Sequence, residues 1–321
     1  MEKSSVLAEA ATLEESFANR CVVCNQRNWA RFQEAGDFRR PNEDRKFKLA
    51  RCLSCGHVMQ NPLPGADELS RAYAVDYAPY RPAWKETGWP IWRILRELTT
   101  FRRVRRLKRY ARGSKLLEVG SGAGDFLYAA SRDGWEVAAV EYNKALADLL
   151  SSELRFDVRS GELTRRLWEP ESFDTVVLWS VLEHVPDPIE TLNIVSYYLK
   201  PGGTVFFQLP TIYGLSFGRR FGKHWHILDL PRHLNFFGKE SLSSLCGKAG
   251  LKVMVFKTSF LDVGWCYLAS CSNYANESKD RGRRFVKLAL LAPMIVLALP
   301  YMAVQAWRGH GTEAFAVAIK G

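Results

Sequence analysis

Leu116-Leu117-Glu118-Val119-Gly120-Ser121-Gly122-Ala123-Gly124-Asp125 is the stretch that decides the fold. An apolar strand runs into alternate glycines and then into the start of a helix. Glycines let a backbone turn sharply and approach a ligand closely. The helix N-terminus beyond them offers unpaired N–H groups and a partial positive charge. A second apolar run, WEVAAVE, ends at Glu141, 17 residues after Gly124. A carboxylate at the end of a second strand can accept hydrogen bonds from both hydroxyls of a ribose. These features point to an adenosine-containing cofactor held at the carboxyl ends of parallel strands. The glycines fall as G-x-G-x-G, not as the dinucleotide spacing, and Glu118 would repel a pyrophosphate. A tight strand-to-helix turn without a ligand is the plain alternative.

Outward from this stretch, short apolar runs alternate with helical segments from Lys115 onward, the signature of βαβ units on a parallel sheet. The reading gives strands at KLLEV, WEVAAVE, FDVR, FDTVVLWS, GTVFFQLP, LKVMVFKTS and the terminal EAFAVAIK. Helices are expected over Asp125–Arg132, Lys144–Glu153, Pro188–Leu199 and Lys239–Ala249, the last ending at Gly250. One of the last two strands is expected to run antiparallel.

The run LLEVGSGAGDF, then Glu141, then FDTVVLWSVLEHVPDP, then LKPGG before an apolar strand resembles a class I S-adenosylmethionine (SAM)-dependent methyltransferase over Lys115 to Gly321. The resemblance implies an α/β fold, a Rossmann-like seven-stranded sheet with SAM across its switch point. It implies a cofactor-contact set of Glu118, Gly120, Ser121, Gly122, Gly124, Glu141, Tyr142, Glu162, Trp179 and Ser180. The glycines would cradle the methionine part and Glu141 the ribose. Glu162 would lie near the adenine, and Trp179 and Ser180 would face cofactor and substrate. Glu183 and His184 follow the fourth strand and would border the transfer site, as pocket lining or proton handling. A turn that only shapes the loop fits them equally.

Seven cysteines are present, four of them as Cys21-x-x-Cys24 and Cys52-x-x-Cys55. The odd count and paired spacing argue for a metal in a reducing compartment, not for a disulfide framework. Four thiolates in two knuckles suit a closed, structural Zn2+. His57 is an unneeded fifth candidate. With FKLARCLSCGHVMQNPLP and the tyrosines 73, 77 and 80, the region resembles the zinc-ribbon modules that precede some sugar and natural-product methyltransferases. The sugar C-methyltransferases of that group carry a further C-terminal domain that is not seen here, which weakens that specific reading. The chain then divides into a tail (1–19), a zinc-ribbon module and linker (20–85) and a methyltransferase domain (86–321) with an apolar insert near 285–307.

After the fifth strand, TIYGLSFGRRFGKHWHILDLPRHLNFFGKESL would cover the acceptor pocket. His233 is the first choice for an acceptor-side base and His226 the second. A histidine satisfied within its loop is the alternative for each. His224 and His226 alternate, but no third metal ligand accompanies them.

The formal net charge of +11 favours an anionic partner. Arg102, Arg103, Arg105, Arg106, Lys108, Arg109 and Arg112 form a run without acids, with Ile91, Ile94, Leu95, Leu98, Val104 and Leu107 at near-helical spacing. It reads as a solvated helix face, or as a surface for anionic lipid or RNA. Leu288–Ala306 is apolar enough to span a bilayer by length. Pro293 and Pro300 would break such a helix, and a crossing would strand EAFAVAIK on the wrong side. The segment is read instead as packing on the domain or a homodimer partner, or as dipping into one leaflet. No secretory signal opens the chain, so the expected location is cytoplasmic, with peripheral contact on the inner membrane face. The leading expectation is a methyltransferase for a small molecule, glycan or lipid-linked envelope intermediate. An RNA methyltransferase and a non-catalytic SAM-fold binding protein are the alternatives. No RNA-binding signature supports the former, and the intact glycine loop argues against the latter.

Overall fold

The computed structural model describes residues 17–40, 43–73, 90–218, 225–259, 300 and 303–321, and side chains 90–96 and 216–218 lie outside that description. Eleven strands among these residues form two sheets.

The large sheet holds β4 (Lys115–Val119), β5 (Glu136–Glu141), β6 (Asp157–Ser160), β7 (Phe173–Trp179), β8 (Leu199–Pro210), β10 (Leu251–Thr258) and β11 (Glu313–Lys320). Its order is β10-β11-β8-β7-β4-β5-β6. β4, β5, β6, β7 and β8 pair in parallel, while β11 runs antiparallel to both β8 and β10. The strand expected to reverse is therefore the terminal one, which inserts beside the sixth and against the fifth. This is the Rossmann-like methyltransferase fold. Chain order reverses at β4, between β5 and β7, and a crevice at such a switch point takes the ligand.

A short helix, α1 (Ala66–Ala72), precedes the large sheet along the chain. Alternation along the strands sends side chains to two faces. Leu116, Val177 and Phe206 point to one face, where α2 (Pro90–Tyr110) and α3 (Asp125–Arg132) supply Val104, Leu107 and Phe126. Leu117, Val176 and Val205 point to the other. There α5 (Pro188–Tyr198) brings Leu192 and Val195, and α7 (Lys239–Lys248) brings Leu242 and Leu245. α5 starts where the Asp187 carboxylate accepts from Glu190 N, with Pro188 in the first turn. α4 (Lys144–Leu154) starts at Asn143, whose side chain accepts from Leu146 N.

The small sheet joins β1 (Trp29–Gly36), β2 (Lys46–Cys52), β3 (Val58–Gln60) and β9 (Asn235–Phe236). Its last strand comes from the segment that follows β8 and a short helix, α6 (Ile212–Gly218), so the cysteine-bearing sheet and that segment are one hydrogen-bonded unit. Phe17, Cys21, Val23 and Met59 also share one buried cluster with Leu192 and Leu245. Phe17 is 5% exposed, so the end of the expected polar tail is packed.

Candidate functional site

Three positive-φ glycines shape the loop after β4: Gly120 (φ 71), Gly122 (φ 52) and Gly124 (φ 78). A Cβ on Gly120 would stand 2.8 Å from Val181 Cγ2, and one on Gly124 would stand 2.2 Å from Leu150 Cδ2. Glu141, at the end of β5, is 4% exposed. Its Oε2 accepts from Gly122 N at 2.7 Å and its Oε1 from Asn143 N at 2.8 Å. Each carboxylate oxygen thus spends one lone pair on the scaffold and keeps another for a ribose hydroxyl. Gly161 N donates to Glu141 O at 2.9 Å, which sets the turn containing Glu162 beside this acid. Glu162 and Tyr142 are exposed at the rim, Tyr142 at 69%.

Glu118 is buried, and burial pushes its carboxyl well above the usual range; Arg103 opposes this, while Glu141 and Asp125 add to it. Three acids around one glycine loop disfavour a pyrophosphate and favour a ligand with cationic groups. SAM carries a sulfonium and an ammonium. Glu118 Oε2, Ser121 Oγ and Trp179 Nε1 are buried polar atoms without hydrogen-bond partners, an arrangement that fits a polar ligand supplying them. Trp179 itself packs into the core, its ring 5.3 Å from Phe126 with the Arg103 guanidinium 5.1 Å above it. Ser180 follows it, exposed and at φ 58. Arg103 Nε also donates to Gln208 Oε1 at 3.1 Å, tying α2 across the strand ends.

Beyond the glycine loop, the structure brings together Glu183, His184 and His233. One donor atom of each lies within 4.8 Å of the others. His184 Nδ1 must donate to the Arg232 carbonyl at 3.0 Å, and His233 Nδ1 to the Ile227 carbonyl at 2.6 Å. Both Nε2 atoms therefore carry lone pairs. Burial lowers both imidazoles, that of His233 to about 3, and holds Glu183 well above the ordinary carboxyl range. His226 is not a member of this trio and lies 6.3 Å from the Phe38 ring; His224 lies outside the described residues.

Further residues complete the site, and nothing in the sequence signalled which partners they meet. Tyr73 Oη lies 2.9 Å from His184 Nδ1. Arg232 is 1% exposed and pairs with Asp37 at 2.7 Å and Asp229 at 2.8 Å; Arg39 reaches the same Asp229 at 2.9 Å. Gln60 Nε2 donates to the His233 carbonyl at 2.7 Å, and Leu234 N donates to the Glu183 carbonyl at 2.7 Å. The β1–β3 hairpins thus form the back wall of this cluster.

Cys21, Cys24, Cys52 and Cys55 converge, with their sulfurs all within 4.8 Å. Cys21–Cys55 and Cys24–Cys52 are 3.5 Å apart. A tetrahedral metal with sulfur ligands at about 2.3 Å needs edges of roughly 3.8 Å, so the four thiols fit one. Asn25 (φ 62) and Gly56 (φ 75) make the turns, and Asn25 N and Gly56 N donate back to the Cys21 and Cys52 carbonyls.

Residues 91–254 match the family described as a methyltransferase domain. The chain belongs to that family, and its fold and glycine loop are those of the class I SAM-dependent enzymes. It is 31% identical over 155 residues to a ubiquinone biosynthesis O-methyltransferase of Stutzerimonas stutzeri, covering 44% of this chain and 66% of that one. It is 36% identical over 102 residues to the enzyme of the same name from Xanthomonas campestris pv. campestris, covering 30% of this chain and 43% of the relative. The similarity therefore spans at most about two thirds of these relatives' length. Among solved structures, phosphoethanolamine N-methyltransferase 2 of Haemonchus contortus in complex with SAM aligns with a TM-score of 0.48 at 17% identity, covering 82% of this chain and 62% of that one.

Proposed function

We propose that the chain transfers the methyl group of SAM to a hydroxyl oxygen of a small-molecule acceptor, with Zn2+ held structurally by the four cysteines. The observation that carries the reading is the glycine loop clamped to Glu141 through Gly122 N. It offers a ribose-binding acid, buried unpartnered polar atoms and an acidic surround suited to a sulfonium.

Transfer from a sulfonium is an in-line displacement, so positioning supplies much of the rate. The acceptor O–H must also be lost when oxygen is the nucleophile. Glu183, His184 and His233 form a cluster next to the strand ends in which both imidazoles carry an Nε2 lone pair, and we place that loss there. The names of the two O-methyltransferase relatives support an oxygen acceptor.

The acceptor meets the enzyme at an anionic membrane surface in this reading. α2 exposes Leu98 (46%) and Phe101 (63%) beside the exposed Arg102, Arg105 and Arg109. Apolar side chains flanked by cations suit the interface of anionic lipid. No helix among the described residues is long and apolar enough to cross a membrane. Most of the apolar run 288–306 lies outside those residues.

The test is calorimetric titration with SAM and S-adenosylhomocysteine on the wild type and Glu141→Ala. Micromolar binding that weakens at least about tenfold in the variant supports the reading, in line with the loss of hydrogen bonds worth about 1.5–3 kcal/mol. A folded, zinc-loaded wild type that binds neither ligand overturns it.

A further inference from the structure

We infer that Glu183, His184 and His233 hold a divalent first-row cation that binds the acceptor oxygen, a site separate from the four-cysteine cluster. The inference rests on the O-methylation reading for its chemistry but not for its geometry.

Two imidazoles and a carboxylate within 4.8 Å of one another make a three-ligand set from one side of a metal. Such a set leaves coordination positions open for a substrate. Each imidazole has one ring nitrogen held by the backbone. Its Nδ1–H is fixed on a backbone carbonyl, of Arg232 for His184 and of Ile227 for His233, and its Nε2 lone pair is free. Metal-bound histidines are held in this way, by a hydrogen bond from the other ring nitrogen. His184 Nε2 stands 4.0 Å from Glu183 Oε1.

Glu183 is the second observation. Its side chain is 1% exposed, and neither carboxylate oxygen has a hydrogen-bond partner. Its main chain is pinned, since Leu234 N and Asn235 N both donate to its carbonyl. A carboxylate held so firmly and left unpartnered calls for a ligand. Nitrogen and oxygen donors also differ in kind from the four sulfurs, so the two sites select different ions.

Bound to such a cation, the acceptor hydroxyl becomes more acidic. Its O–H bond breaks and the proton passes to water. The oxygen lone pair forms the new bond to the SAM methyl carbon as the carbon–sulfur bond breaks. That electron pair stays on sulfur, leaving neutral S-adenosylhomocysteine.

The experiment is a Mn2+ titration of the zinc-loaded full chain followed by electron paramagnetic resonance, with calorimetric SAM titration on the same samples. The expected result is one Mn2+ per chain. Glu183→Gln and His233→Gln should each weaken it by about tenfold or more, with SAM affinity unchanged as the check on folding. Absence of Mn2+ binding up to millimolar concentration overturns the inference, as does equal binding by wild type and both variants. SAM binding without Mn2+ sinks the cation alone, whereas Mn2+ binding without SAM sinks the methyltransferase reading.

Discussion

Gly120 shows how single residues set the cofactor loop. At φ 71 it occupies the left-handed region, and any Cβ would press on Val181, the second residue after β7. Gly120→Ala should destabilise the fold by about 1–3 kcal/mol, read as a lower thermal midpoint, and should weaken SAM binding. An unchanged midpoint would remove the steric argument. Arg232 is the corresponding residue on the acceptor side. Removing it leaves the buried Asp37 without its guanidinium partner and the buried Asp229 with Arg39 alone. Arg232→Ala should cost about 3–5 kcal/mol in denaturant unfolding. Only the first effect was legible: the glycine spacing announced a special backbone, whereas nothing around Arg232 announced that its partner Asp37 lies in the turn after β1. Ion pairs between distant residues leave no local periodicity.

Asp174 in β7 acts at the scale of the element. Its Oδ2 accepts from Ser114 N at 3.1 Å and Lys115 N at 2.9 Å, and its Oδ1 from Lys200 Nζ at 2.7 Å. One carboxylate therefore aligns the starts of β4, β7 and β8. Burial raises its pKa, but the lysine and the two backbone N–H groups outweigh this, so the folded value is depressed. The sign follows directly. Its stabilisation is fully present above the unfolded value of about 3.9 and is lost as pH falls below it. Asp229 has the same sign, since Arg232 and Arg39 outweigh its burial. Acid unfolding should begin below about pH 4, and Asp174→Ala should lose about 1–3 kcal/mol at pH 7 and flatten the acid limb. Equal acid limbs in wild type and variant would refute the clamp. The elements themselves were readable because strand and helix periods differ, and the expected Asp125–Arg132 and Glu313–Lys320 segments match the observed α3 and β11. The two-residue β9 was not, since so short a strand has no period to detect.

For the whole molecule, the decisive feature is that the cysteine sheet and the acceptor segment share β3–β9 pairing, Gln60's bond to the His233 carbonyl and His57's contact with Asn235. Zinc removal should therefore loosen residues 225–237 in hydrogen exchange while β4 and β5 stay protected, with SAM affinity largely kept and methyl transfer lost. Uniform loss of protection, or none, would show that the cluster does not specifically support the acceptor side. On the outer surface, Phe101→Ser with Arg105→Glu should abolish co-sedimentation with anionic vesicles while leaving SAM binding intact. Retained co-sedimentation would exclude α2 as the contact.

The sequence by itself determined the sheet, the cofactor loop, Glu141 and the four thiols, because each rests on short-range spacing along the chain. Glycines at alternate positions, C-x-x-C pairs and strand periods are local facts. Tertiary structure alone decided that Glu183 and His184 meet His233, that Tyr73 and Arg103 join the site, and that the cysteine sheet backs the acceptor cluster. Those pairings span separations of about 50 to 195 residues, and only the closing of the fold, by burial and by hydrogen bonds between distant segments, brings such groups within reach of one another.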